Sequence, residues 1–147
     1  MEEEIKIRKM KISDISEIIK IGLSVEEFKV DSKVRGFWTK EQLENWIKSK
    51  KDSLIVAENN NKIIGFVMFA HHIPTGKVTF ENGWIEKGFR GNGTIERLVE
   101  EGIKDLKKKG ANYVVGLTKT NNFASIKFLE KNKFMKGFDF SWLHRKI

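Results

Sequence analysis

The sequence predicts an α/β fold, a central sheet of six or seven strands flanked by about four helices. Three observations predict it. Short apolar, β-branched runs such as "SLIVAE" and "NYVVGLT" alternate with stretches whose apolar residues recur every three or four positions. A glycine-rich turn, "GFRGNG", leads from one apolar run into the longest periodic stretch. The 147 residues, with one proline, no internal repeat and no Pro/Ser-rich linker, fit a single domain over 1–147 with one core.

Element by element, "EIKIRKMK" alternates Ile5, Arg8 and Met10 among polar residues and reads as a first strand; Ser13 then caps an amphipathic helix in "SDISEIIKIGLS". "DSKVRGFW" is loop-like. Thr39 and Gln42 form a capping box for a second helix, "KEQLENWIKSKK", with Leu43, Trp46 and Ile47 on one face. "SLIVAE" and "IIGFVMFAHH" pair as a hairpin about Asn59, Asn60 and Asn61. "KVTFENGWIE" leaves two readings open, because Asn82-Gly83 is a hairpin signal between two short arms and equally a strand with a bulge at Gly83. From Thr94, the residues Ile95, Leu98, Val99, Ile103 and Leu106 share one helical face with Gly102, and Gly110 follows a lysine-rich last turn. "NYVVGLT" reads as a buried strand, Asn122 caps "FASIKFLEKN", and "KFMKGFDFSWLHRKI" alternates as one or two final strands.

Composition narrows the function. Charged residues are abundant, yet 11 Phe and 4 Trp supply bulk for an interior. The apolar runs are too short to cross a membrane and the N-terminus is acidic, which points to the cytoplasm. With no cysteine there is no thiolate metal site and no cysteine nucleophile. His71, His72 and His144 lack the spacing of a metal site, so no metal is expected, and Tyr113 reads as packing. The net charge of +8 favours polyanions, among them nucleic acid, an anionic membrane or a phosphorylated cofactor. No zinc finger, RNA-binding aromatic motif or basic groove-reading helix supports the nucleic-acid reading. The clustered lysines at 48–51 and 107–109 read as solvated helix ends.

A strand that ends in "GFRGNG" and enters a helix points backbone N–H groups at an anion. Gly91 and Gly93 allow close approach, and Arg90 adds a charged donor. GxxxxGK[ST] is absent, and the spacing of Gly91, Gly93 and Glu96 breaks GxGxxG, which removes the nucleoside-triphosphate and dinucleotide readings. The "RGNGTI" of 90–95, followed by a helix, a strand and "NFASIKFLEKNKF" at 122–134, resembles the GNAT superfamily of acyl-CoA-dependent N-acetyltransferases. Arg90 and Gly93 match its six-residue pattern, and Asn122, Ser125, Phe128, Leu129, Glu130, Lys131 and Phe134 follow the order of its second segment. Ile95 stands where that pattern has Gly or Ala, Leu129 where many members have a tyrosine acid, and Lys133 where a glycine is common.

The resemblance implies a mixed, mostly antiparallel sheet and favours the bulged strand, with Gly83 at the bulge. It implies transfer of an acetyl group from acetyl-CoA to a primary amine by direct attack in a ternary complex. Glu81 is the candidate base, because an ammonium with a pKa near ~10.4 must lose its proton before it attacks. Amides around Trp84 and Ile85 are candidate donors to the thioester oxygen. Arg90, Gly91, Asn92, Gly93, Thr94 and Ile95 are expected to cradle the cofactor pyrophosphate, with Asn122 as a further cofactor contact. Phe28, Phe37, Trp38 and Trp46 are read first as core and second as an apolar acceptor wall. Ile95 and Leu129 motivate the alternative of a catalytically impaired domain that binds acyl-CoA as a sensor. The acceptor is a small molecule or a protein, and a homodimer through the last strand is an open expectation.

Overall fold

The computed structural model describes residues 4–29 and 36–147, and the chain divides into two compact units, 1–115 and 116–147. In the first unit the order is β1 (Lys6–Lys9), α1 (Ile15–Ser24), α2 (Lys40–Lys48), β2 (Ser53–Asn59), β3 (Lys62–His72), β4 (Lys77–Ile85), α3 (Thr94–Lys108) and β5 (Tyr113–Gly116). The last residue of β5 opens the second unit, which also holds α4 (Phe123–Lys131). The strands lie in the order β1-β2-β3-β4-β5, and the first three neighbouring pairs are antiparallel. The N–H groups of Asn112 and Tyr113 both reach the Gly76 carbonyl, which ties the start of β5 to the start of β4. A crossover helix such as α3 is the connection that a parallel neighbour requires. The sheet is mixed and mostly antiparallel, with five strands in place of six or seven.

Local chemistry explains most boundaries. Asn60 and Asn61 take φ of 47° and 62°, the two left-handed residues of a tight hairpin turn. Thr39 Oγ1 accepts the Gln42 N–H at 3.3 Å and starts α2, while Asn122 Oδ1 accepts the Ser125 N–H at 3.1 Å and starts α4. Gly110, at φ 85°, closes α3. Ser13 is not the cap of the first helix. Asp14 stands at the N-cap position, but its side chain bonds no amide of α1; it turns back across a short 3-10 turn to accept the Lys11 N–H at 2.7 Å and the Arg8 guanidinium at 2.7 and 3.0 Å.

Side-chain parity divides the core into two faces. Leu54, Val56, Phe66 and Met68 face α1 and α2, where they join Ile15, Ile18, Phe37 and Leu43. On the other face, a Cβ on Gly65 would stand 3.1 Å from Leu98, and one on Gly102 would run into Phe69, so α3 lies close against β3. The buried line of α3 is Thr94, Leu98, Val99, Gly102 and Leu106; Ile95 and Ile103 sit at its margin, half-buried.

Two readings are corrected here. Residues 134–147 form no strand, and Met135, Phe138, Phe140, Trp142 and Leu143 are 72–93% exposed. Alternation sets which face a strand would bury, but a strand exists only when a neighbour takes its ladder hydrogen bonds. Tyr113 is not packed in a buried strand: it is 63% exposed at the start of β5, whose remaining residues are half-buried. His71 is a core histidine, whereas His72 is exposed at the end of β3. The loop reading of 31–38 falls largely outside the described residues.

Candidate active site

Asn82 and Gly83 lie inside one continuous strand, β4, which excludes the hairpin. The strand does carry a bulge, although not at Gly83. Its register against β3 steps from Phe69↔Phe80 to Met68↔Asn82, so Glu81 is the extra residue. The insertion turns Phe80 and Gly83, three positions apart, onto the same face, and a Cβ on Gly83 would stand 2.7 Å from Phe80 Cζ. The glycine makes the hole that Phe80 fills; the bulge itself belongs to the glutamate.

Burial raises the Glu81 pKa above the ordinary carboxylate value, because the charged form loses hydration there. Beside it, Asn82 faces the α1 and α2 side opposite Met68, and its Oδ1 accepts the Trp38 Nε1–H at 2.7 Å. Trp84 follows on the same face, stacked on Phe66 with ring centroids 5.8 Å apart. Trp38 leans on Trp46 at 4.8 Å, and Phe28 stacks on Phe37 at 5.7 Å. Asn82 had signalled only a turn in the sequence, and nothing in its spacing marks it as the partner of Trp38.

Past the bulge the ladder alternates regularly. The Glu86 N–H bonds the Ile64 carbonyl at 2.7 Å, so the Ile85 N–H and C=O point away from β3 and those of Trp84 point toward it. Arg90 Nε donates to the Ile85 carbonyl at 3.2 Å, which holds the guanidinium at the end of β4. Of the two expected amide donors, Ile85 is the one turned out of the β3 ladder.

The glycine loop leaves its backbone uncovered. Gly91 and Gly93 have φ of 79° and 81°, and a Cβ at either would meet nothing within 4 Å, so the space over the loop is open. Successive amides in such a turn converge on one side, and α3 adds the positive end of its dipole. Asn92 Oδ1 accepts both the Thr94 N–H at 3.1 Å and its hydroxyl at 2.7 Å, which pins the start of the helix to the loop. Ile95 is half-buried beside this turn. In the second unit, Asn122 caps α4 and Leu129 is 9% exposed, within reach of Gly116. A buried leucine there cannot deliver a proton. Among the described residues no group of three or more His, Asp or Glu could hold a metal ion, and no helix is long and apolar enough to cross a membrane.

The model of the Acetyltransferase (GNAT) family matches residues 23–134, the stretch that carries the bulge, the glycine loop and α4. The chain belongs to the GNAT family. No curated protein matches it in sequence. Among solved structures, the aminoglycoside N-acetyltransferase AAC(6')-Iy in complex with CoA is similar at a TM-score of 0.79 and 16% identity, covering 100% of this chain and 98% of that one. A transcriptional regulator from Bacillus halodurans C-125 is similar at 0.75 and 20%, covering 97% and 100%. An acetyltransferase of the GNAT family from Streptococcus pneumoniae is similar at 0.73 and 21%, covering 91% and 87%. At these identities the likeness is one of fold, and it gives the GNAT domain its α/β architecture.

Proposed function

We propose that this GNAT chain is an acetyl-CoA-dependent N-acetyltransferase that acts on a primary amine by direct attack in a ternary complex. The observation that carries the reading is the placement of Glu81: a half-buried carboxylate with a raised pKa, standing as the extra residue of a bulge in the strand that leads to the glycine loop. A pKa moved toward neutrality suits a group that must take a proton from an ammonium and release it later.

Arg90, Gly91, Asn92, Gly93, Thr94 and Ile95 hold the pyrophosphate in this reading, through loop amides and the Arg90 guanidinium, and the open space over both glycines fits that role. By the family pattern, Asn122 is carried as a further cofactor contact. Acetyl-CoA supplies the activated acyl group. The amine loses its proton to Glu81, directly or through one water, and the neutral nitrogen attacks the carbonyl carbon. In this reading the Ile85 amide, turned away from β3, stabilises the charge that gathers on the carbonyl oxygen, and Trp84 lines the acceptor side. With Leu129 in the place of a tyrosine acid, the sulfur leaves as thiolate, which is feasible for a thiol whose pKa lies near ~8.5.

Thermal unfolding with acetyl-CoA, and with ADP as control, tests the cradle; saturation at about 100 times Kd adds roughly 2.7 kcal/mol. An amine-acceptor screen with Glu81→Gln then tests the chemistry. Turnover in the parent and its loss in Glu81→Gln, with acetyl-CoA stabilisation retained, is the expected result. Stabilisation without turnover toward any amine marks a domain that only binds acyl-CoA.

A further inference from the structure

A hydrogen bond from Trp38 Nε1–H to Asn82 Oδ1 joins the side of β4 that carries Glu81 and Asn82 to the end of the segment before α2. We infer that Asn82 is a positioning residue that holds Trp38 beside the base, and that the acceptor it shapes is a monoamine on an aromatic or apolar body. The inference rests on the N-acetyltransferase reading.

The chemistry of the face supports both parts. Trp38 and Trp84 are partly buried and flank Asn82, backed by buried Phe66 and Phe37 and by Phe28. Such a surface binds rings and alkyl chains by area and offers cation–π contact to a single ammonium. A polycation asks for the opposite, several carboxylates free to pair with it. Here Glu26 is paired with Lys29 and Glu44 with Lys40, and the chain carries a net charge of +8. Among the described residues Asn82 is the hydrogen-bond partner of the Trp38 indole, whose ring also packs on Trp46, and the bond selects one orientation of that ring. Fixing it makes the wall of the site before the acceptor arrives, which lowers the ordering cost of binding.

The test is steady-state kinetics with acetyl-CoA and four acceptors: phenethylamine, hexylamine, spermidine and neamine. Phenethylamine and hexylamine are expected to exceed spermidine and neamine in kcat/KM by tenfold or more. Asn82→Ala is expected to raise the KM of phenethylamine roughly tenfold, while the KM of acetyl-CoA and the acetyl-CoA thermal shift stay unchanged. Trp38→Phe, which keeps a ring and removes the donor, should give a smaller rise of the same kind, and Asn82→Asp, which keeps an acceptor oxygen, should restore part of the loss. Should Asn82→Ala fail to fold, Trp38→Phe carries the test. A preference for the polycations overturns the acceptor class. Equal changes in both KM values, or a change in kcat alone, overturn the positioning role. Absence of any acetyl-CoA thermal shift in the parent chain overturns the function on which the inference rests.

Discussion

Replacing Gly83 by alanine puts a Cβ 2.7 Å from Phe80 Cζ, where two carbons ordinarily stand roughly 3.5–4.0 Å apart. The Phe80 ring would have to retreat by about 1 Å. Behind it lies Phe69, ring centroids 4.8 Å away, which is fully buried and already fills the space over Gly102. The retreat is blocked from that side, so the displacement passes into the backbone of residues 80–82, where the extra residue is Glu81. Overpacking of this kind costs about 1–3 kcal/mol, and alanine returns roughly 0.5–1 kcal/mol because it is less costly than glycine to order in a strand. The net is a destabilisation of up to about 2.5 kcal/mol, a fall in Tm of a few degrees for a chain of this size. Turnover should fall more steeply than stability, because the strain is released at the bulge. Thermal unfolding and kcat measured on Gly83→Ala, alone and combined with Phe80→Leu, separate the steps, and the double variant should recover Tm because the shorter side chain vacates the overlap. An unchanged or raised Tm with parental kcat in Gly83→Ala refutes the argument that the glycine exists to seat Phe80.

Burial raises the Glu81 pKa, so the folded chain binds that proton more tightly than the unfolded chain and the charged form is penalised at neutral pH. Glu81→Gln should therefore raise Tm at pH 7, and the gain should vanish once pH falls below the ordinary carboxylate range; melting curves from about pH 3 to pH 8 check both. Asp14 carries the reverse sign. Burial pushes its carboxyl up, but hydrogen bonds from the Arg8 guanidinium and the Lys11 amide outweigh that and hold it below its ordinary value. Its contribution is present above pH 4 and is lost as pH falls through the lowered value, so Asp14→Asn should cost about 2–3 kcal/mol in urea unfolding at pH 7 and little at the lowest pH where the chain still folds. Gly93→Ala meets no atom within 4 Å, so its cost is confined to the left-handed φ of 81°, about 1–2 kcal/mol. A loop that relaxes to escape this strain should lose most of its acetyl-CoA thermal shift.

Elements whose signals are local were legible in the sequence. Thr39, Asn122, the asparagine turn and Gly110 each act within four residues, and each stands where its chemistry predicts. The 15-residue α3 shows itself through an apolar stripe that one helix buries. What was misread depends on distant partners. Ser13 is not the N-cap, because the chain enters α1 through a 3-10 turn whose Asp14 carboxylate is bonded to Arg8, a side chain that Glu58 also holds across the β1–β2 pair. The strand expected over 134–147 has the right alternation, but no pattern within a strand names the neighbour that must accept its hydrogen bonds. The site divides the same way. Its glycine loop is a local motif, whereas the link between Trp38 and Asn82 spans residues with no periodic relation to each other.

The bulge was expected two residues too late, and the reason bears on how such a site is built. Sequence reasoning assigns irregular backbone to the residue that tolerates it best, which in "ENGW" is glycine. The structure puts the irregularity on the glutamate and uses the glycine to relieve the crowding that follows. A bulged, half-buried carboxylate whose charged form burial penalises is a poor choice for stability at neutral pH. Two left-handed glycines over open space, a short distance along the chain, add flexibility to that cost. Regular structure on both sides over-determines the segment: β3 pairs with β4 on either side of the bulge, and Asn92 ties the loop to the buried Thr94 at the start of α3. Local rules fail here together, between two elements that obey them, which is the pattern expected where the chain holds chemistry in place of maximal stability.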